Sequence, residues 1–137
     1  GASSAMILAD EVALDTPMDY ASVRTLGADL GSASVIVIND SVDVDWVINK
    51  TIHFFRRESC GKCTPCRDGT YWMQHLIERI ERGEEVEANT RLLHTVAKQI
   101  QNKCLCPLGE FSIMAVMTAI ERFPADFQPS IAGGKHA

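Results

Sequence analysis

Three of the five cysteines in the chain fall within one short string, Cys60-Gly-Lys-Cys63-Thr-Pro-Cys66. No other feature limits the fold as strongly. With two residues between successive members, one loop can aim three sulfurs at a common centre, and the surrounding elements must then bring a fourth ligand within reach. A secreted domain would spread an even number of half-cystines over its length. Five cysteines, three of them crowded together, instead read as a ligand set in a reducing compartment, so the chain is expected in the cytoplasm or on the cytoplasmic side of a membrane.

The run matches the first part of the bacterial-ferredoxin spacing, in which one loop takes three corners of a 4Fe-4S cubane and a remote thiolate takes the fourth. Two remote cysteines are available, Cys104 and Cys106, and spacing alone does not choose between them. Cys106 is the better fourth ligand, because Pro107 and the start of a helix follow it directly. Cys104 then reads as a small buried thiol near the cluster. Zinc is the competing metal, and a structural zinc-binding interaction module is the alternative function. Structural zinc sites usually present two separated pairs of ligands, however, whereas this loop carries three. Arg56, Arg57, Lys62 and Arg67 flank the loop, and read either as a solvated basic face or as cations that offset the charge of a thiolate-bound cluster and raise its potential. Gly61 and Gly69 are expected to let backbone approach it. Tyr71 and Trp72 read as core residues, and His53, His75 and His94 as surface or packed side chains without ligand spacing.

Periodicity supplies the scaffold. Ser34-Val-Ile-Val-Ile-Asn39 is mostly β-branched and bounded by turn residues, which predicts a buried strand. A lone strand is marginal in water, so the N-terminal third reads as the last part of a sheet domain. From Asp43 onward apolar residues recur at helical spacing. A first helix, capped at Ser41 or Asp43, ends near Glu58; a second runs from about Arg67 to Arg82 and stops at Gly83. A third is capped near Asn89 or Thr90, and a fourth starts at Pro107 and is closed by Pro124. Short connections between them predict a four-helix bundle.

The expected domains are therefore 1–10 as a tag remnant or mobile terminus, 11–41 as the end of an α+β domain, 42–128 as the helical iron–sulfur domain, and 129–137 as a tail. A formal charge of -5 leaves no basic surplus for a phosphate backbone, so nucleic acid is not an expected partner. No apolar run is long enough for direct membrane insertion.

The string Glu58-Ser-Cys-Gly-Lys-Cys-Thr-Pro-Cys-Arg-Asp-Gly69 closely resembles the C-terminal part of the NADH-oxidising flavoprotein subunit of respiratory complex I. Related diaphorase subunits of NAD-reducing hydrogenases and formate dehydrogenases carry the same module. The resemblance extends back through Met18-Asp-Tyr20 and Leu26–Val37, and forward to Cys106-Pro-Leu-Gly109. It implies a mainly α fold, with a four-helix bundle carrying an iron–sulfur cluster after a partial ubiquitin-like α+β segment. It also implies Cys60, Cys63, Cys66 and Cys106 as ligands of one 4Fe-4S cluster, and no ligand role for Cys104. The function implied is relay of single electrons from reduced FMN, itself reduced by NADH, to partner iron–sulfur subunits in a peripheral arm of an NADH dehydrogenase complex. Nothing in this chain matches the region that holds FMN and NAD, so those cofactors are expected in an FMN/NADH-binding domain or chain that acts as its partner. No catalytic residue is expected here, and the chain alone is expected to be inactive toward NADH.

Overall fold

A computed structural model describes residues 1–31 and 33–128. Within them lie six α-helices: α1 Glu11–Asp15, α2 Tyr20–Thr25, α3 Val44–Glu58, α4 Thr64–Glu81, α5 Val86–Ile100 and α6 Leu108–Arg122, followed by a 3-10 turn, Pro124–Phe127. The expected tail, 129–137, lies outside the described residues.

The last four helices close a ring. α3 packs on α4, α4 on α5, α5 on α6, and α6 returns to α3, while the 3-10 turn touches α3, α5 and α6. Each helix contributes side chains that are fully withdrawn from water: Ile48 and Ile52, Met73 and Ile77, Leu93 and Ile100, Ile113 and Val116. Burying an aliphatic side chain of this size contributes about 1.5–3 kcal/mol, so this shared core dominates the bundle's stability. The connections 59–63, 82–85 and 101–107 are short, which makes neighbouring helices antiparallel. The first and third connections therefore lie at the same end of the bundle, and the five cysteines fall in those two connections and the turn of α4 that follows the first.

Two helices begin earlier than periodicity predicts. α4 starts at Thr64 rather than near Arg67, with Pro65 in its first turn, where a missing N–H costs nothing. Cys63 is its N-cap residue, and its carbonyl accepts the first helical bond, from Arg67 N at 2.9 Å. α5 starts at Val86, and Asn89 is a buried residue inside the helix instead of its cap; its amide reaches back to the Glu84 carbonyl at 2.6 Å. The first helix of the bundle ends at Glu58 as expected, with Asp43 at its N-cap position.

The N-terminal third departs most from expectation. No strand occurs among the described residues, and the predicted buried strand at 34–39 is irregular and exposed, Val37 to 87%. A strand exists by pairing, and no described segment offers Val35 to Ile38 a ladder. Two short helices stand upstream, each capped by an aspartate: Asp10 accepts from Ala13 N–H and Asp19 from Ser22 N–H, both at 2.8 Å. Residues 1–6 are bound to the rest of the chain. Ser4 is buried against Asp29, and Met6 N–H donates to Thr118 Oγ1 at 2.9 Å. Arg122 of α6 spans the junction, donating to the carbonyls of Met6 at 2.6 Å and Leu26 at 2.7 Å.

Candidate iron–sulfur site

The antiparallel ring brings the 59–63 and 101–107 connections face to face. Leu105 N–H donates to Cys63 Sγ at 3.3 Å, so the loop before α6 is closed onto the cysteine loop. Amide donors of this kind stabilise a sulfur that carries negative charge. Cys66 sits in the first turn of α4 and is only 7% exposed, with its sulfur 3.3 Å from Ser59 Oγ. Cys63 is half-buried, while Cys60 and Cys106 are exposed. The first turn of α4 also leaves backbone N–H groups without intrahelical partners beside Cys63 and Cys66.

Backbone geometry explains one glycine and reassigns another. Gly61 has φ +77°, a conformation costly for an L-residue, and it turns the chain between Cys60 and Cys63. Arg67 Nη1 donates to its carbonyl at 3.1 Å, bracing the loop from α4. Gly69 has a different task from the one expected. A Cβ there would lie 2.6 Å from Ile100 Cδ1 and 2.7 Å from Ile100 Cγ1, so this glycine permits close contact between α4 and α5.

The cations around the loop are not equivalent. Arg67 pairs with Asp68, Nε to Oδ1 at 2.9 Å, which cancels much of its charge locally. Arg56 donates to Gln74 and lies over the Tyr71 ring, 4.9 Å from its centroid. Arg57 and Lys62 are exposed. Together Arg56, Ser59, Gly61, Arg67, Asp68 and Tyr71 line a surface cleft beside the cysteine loop. Tyr71 and Trp72 are not core residues, being 41% and 56% exposed. With His75 they form an edge-to-face aromatic group on the outer side of α4. His53 lies 3.1 Å from Glu78 Oε1 and is part of the α3–α4 contact.

Cys104 is half-buried rather than buried, and its surroundings are distinctive. Burial, followed by the nearby charges of Cys66 and Cys63, pushes its thiol above the ordinary cysteine range, while the Cys66 backbone N–H acts in the opposite sense. Among the described residues no three His, Cys, Asp or Glu side chains gather as they would around a single metal ion. A four-iron cluster does not ask for that convergence, because each thiolate takes its own corner. The donor set is all sulfur, it lies at one end of a rigid bundle, and amide and hydroxyl groups point at its sulfurs, so the residues present fit such a cluster. Sequence reasoning missed Ser59, the Leu105 amide and the start of α4. Only the last had a signal, in Thr64-Pro65.

Comparison with known proteins agrees with this chemistry. The family described as the NADH-ubiquinone oxidoreductase-F iron–sulfur binding region, a 4Fe-4S family, matches residues 46–130. The F subunit of NADH-quinone oxidoreductase in Mycobacterium tuberculosis H37Rv is 34% identical over 134 residues, covering 98% of this chain and 30% of that protein. The second of two such F subunits in Rhizobium meliloti is 40% identical over 114 residues, 83% of this chain and 27% of that protein. The mitochondrial NADH-ubiquinone oxidoreductase 51 kDa subunit of Aspergillus niger is 33% identical over 131 residues, 96% and 26% respectively. The chain thus spans less than a third of the length of these relatives. The α3–α6 bundle with its cysteine-bearing end belongs to the NADH-ubiquinone oxidoreductase-F iron–sulfur binding region family, and its cofactor is a 4Fe-4S cluster.

Proposed function

We propose that the chain is a one-electron relay module in which Cys60, Cys63, Cys66 and Cys106 hold the cluster. It would receive electrons from a reduced FMN that NADH has charged, and pass them to iron–sulfur subunits of an NADH dehydrogenase complex, in an arm outside the membrane. The cluster, when bound, supplies reversible uptake and release of one electron. The protein's own part is positional. Cys63 and Cys66 are fixed by the first turn of α4, Gly61 sets the turn that lets Cys60 join them, and the α5–α6 connection carries Cys106 to the same end. Amide and hydroxyl donors to sulfur, with Arg56, Arg57 and Lys62 nearby, favour the more negative, reduced state.

The observation that carries this reading is the Leu105 amide on Cys63 Sγ, which joins the three-cysteine loop to the segment holding the remote cysteines. The relatives' names supply the context: oxidation of NADH with transfer to a quinone. No helix among the described residues is long and apolar enough to cross a membrane. Residues 42–128 form the iron–sulfur domain in this proposal, and 11–41 the end of a ubiquitin-like domain. The exposed apolar run Val35-Ile-Val-Ile38 supports the second division, since the remainder of a sheet would cover it.

Mixing the anaerobic, oxidised chain with excess photoreduced FMN tests the relay. Visible absorption should bleach with reduced FMN and remain with NADH alone. Bleaching by NADH without flavin, or none with reduced flavin, would contradict the proposal.

A further inference from the structure

The proposed ligand set uses four of five cysteines, and the fifth, Cys104, is neither remote from the site nor on the outer surface. It directly precedes Leu105, whose amide donates to Cys63 Sγ at 3.3 Å, so it lies beside the cysteine loop. Packing keeps it there: a Cβ on Gly109 would lie 2.5 Å from Cys104 Sγ, so the bare backbone of α6 is what makes room for the thiol. Its sulfur also donates a long hydrogen bond, 4.0 Å, to the Ile100 carbonyl. Cys106, by contrast, is exposed, and the residue between the two cysteines, Leu105, is 84% exposed while its amide stays on Cys63 Sγ. The two cysteines thus flank, one on each side, a residue whose backbone is hydrogen-bonded to a sulfur of the cysteine loop.

We propose that Cys104 is a reserve ligand, which takes the fourth corner of the cluster when Cys106 is lost. In that exchange the Cys104 S–H bond breaks, its proton leaves to solvent, and its sulfur bonds the iron vacated by Cys106, displacing water. No electron changes hands. The inference rests on the relay reading, because it needs the cluster and the assignment of Cys106.

The test compares the 137-residue chain with its Cys104→Ala, Cys106→Ala and double variants, each loaded anaerobically. Iron, acid-labile sulfide, the electron paramagnetic resonance spectrum of the reduced form and the helical circular dichroism are measured. Both single variants should retain near-native iron and sulfide, Cys106→Ala with a shifted resonance spectrum, and the double variant should fall several-fold. Loss of cluster from Cys106→Ala to the level of the double variant, folded or not, overturns the inference and leaves the relay reading intact. Loss from Cys104→Ala with retention in Cys106→Ala also overturns it, by making Cys104 the native ligand. A wild-type chain that takes up no iron would defeat the relay reading itself.

Discussion

Gly69 shows how tightly single residues are held at the cysteine end. Its missing side chain is the space occupied by Ile100, itself without exposure, so Gly69→Ala has no flexible neighbour to displace. Overpacking of this kind costs about 1–3 kcal/mol. Gly83→Ala is the control: nothing lies within 4 Å, and only its φ of +72° is strained, a cost of about 1 kcal/mol. Urea unfolding should rank Gly69→Ala below Gly83→Ala in stability, and the reverse order would remove the packing role. At this scale the sequence is most legible where chemistry demands a residue type. The spacing of Cys60, Cys63 and Cys66 is enough by itself to raise the expectation of a ligand loop. Ser59 and the Leu105 amide were not legible, because a hydroxyl or backbone N–H acquires its role only from what folding places opposite it. Tyr71 and Trp72 misled for the complementary reason: aromatic size predicts burial on average, but α4 turns those positions outward.

Between elements, the α3–α4 contact carries a polar ladder above the apolar core. Gln74 donates to Glu78 Oε1 at 2.6 Å, His53 lies 3.1 Å from the same oxygen, and Asn49 donates to Glu81 at 2.5 Å. The Gln74 hydrogen bond, with that from His53, holds the Glu78 carboxyl below its ordinary value of 4.5. A depressed carboxylate contributes stability that is complete above the unfolded value and fades as pH falls through the lower folded one. The expected loss on acidification is about 0.5–1 kcal/mol for so solvent-accessible a group. Glu78→Gln should be less stable than wild type at pH 6 and equal to it near pH 3. A constant difference across that range would contradict the assignment. Helix identity was readable from apolar spacing because all four bundle helices bury one stripe. Their starts were less so, since Asn89 has the chemistry of a cap yet spends its amide on Glu84 from inside α5. The β-branched run at 34–38 reads as a strand on propensity, but propensity cannot supply the neighbouring strand that would make it one.

For the whole molecule, antiparallel connectivity does what no single motif can, placing residues 60–66 and 104–106 at one end. The four-helix architecture followed from periodicity and short connections; the docking of residues 1–6 onto α6 through Arg122 did not, because it depends on contacts across most of the chain. Since the core is built from all four helices, removal of iron should loosen one end and leave the bundle standing. Amide hydrogen exchange after chelation should rise at 60–66 and 104–108, while Ile77, Leu93 and Val116 remain protected. Global loss of protection would mean that the metal, not the core, holds the helices together. The most direct test of the central claim is metal and sulfide analysis of the anaerobically prepared chain, with electron paramagnetic resonance after reduction by dithionite. The account predicts brown protein with about four iron and four sulfide per chain and a low-temperature signal from the reduced cluster. Colourless protein holding about one zinc per chain and no sulfide would contradict it.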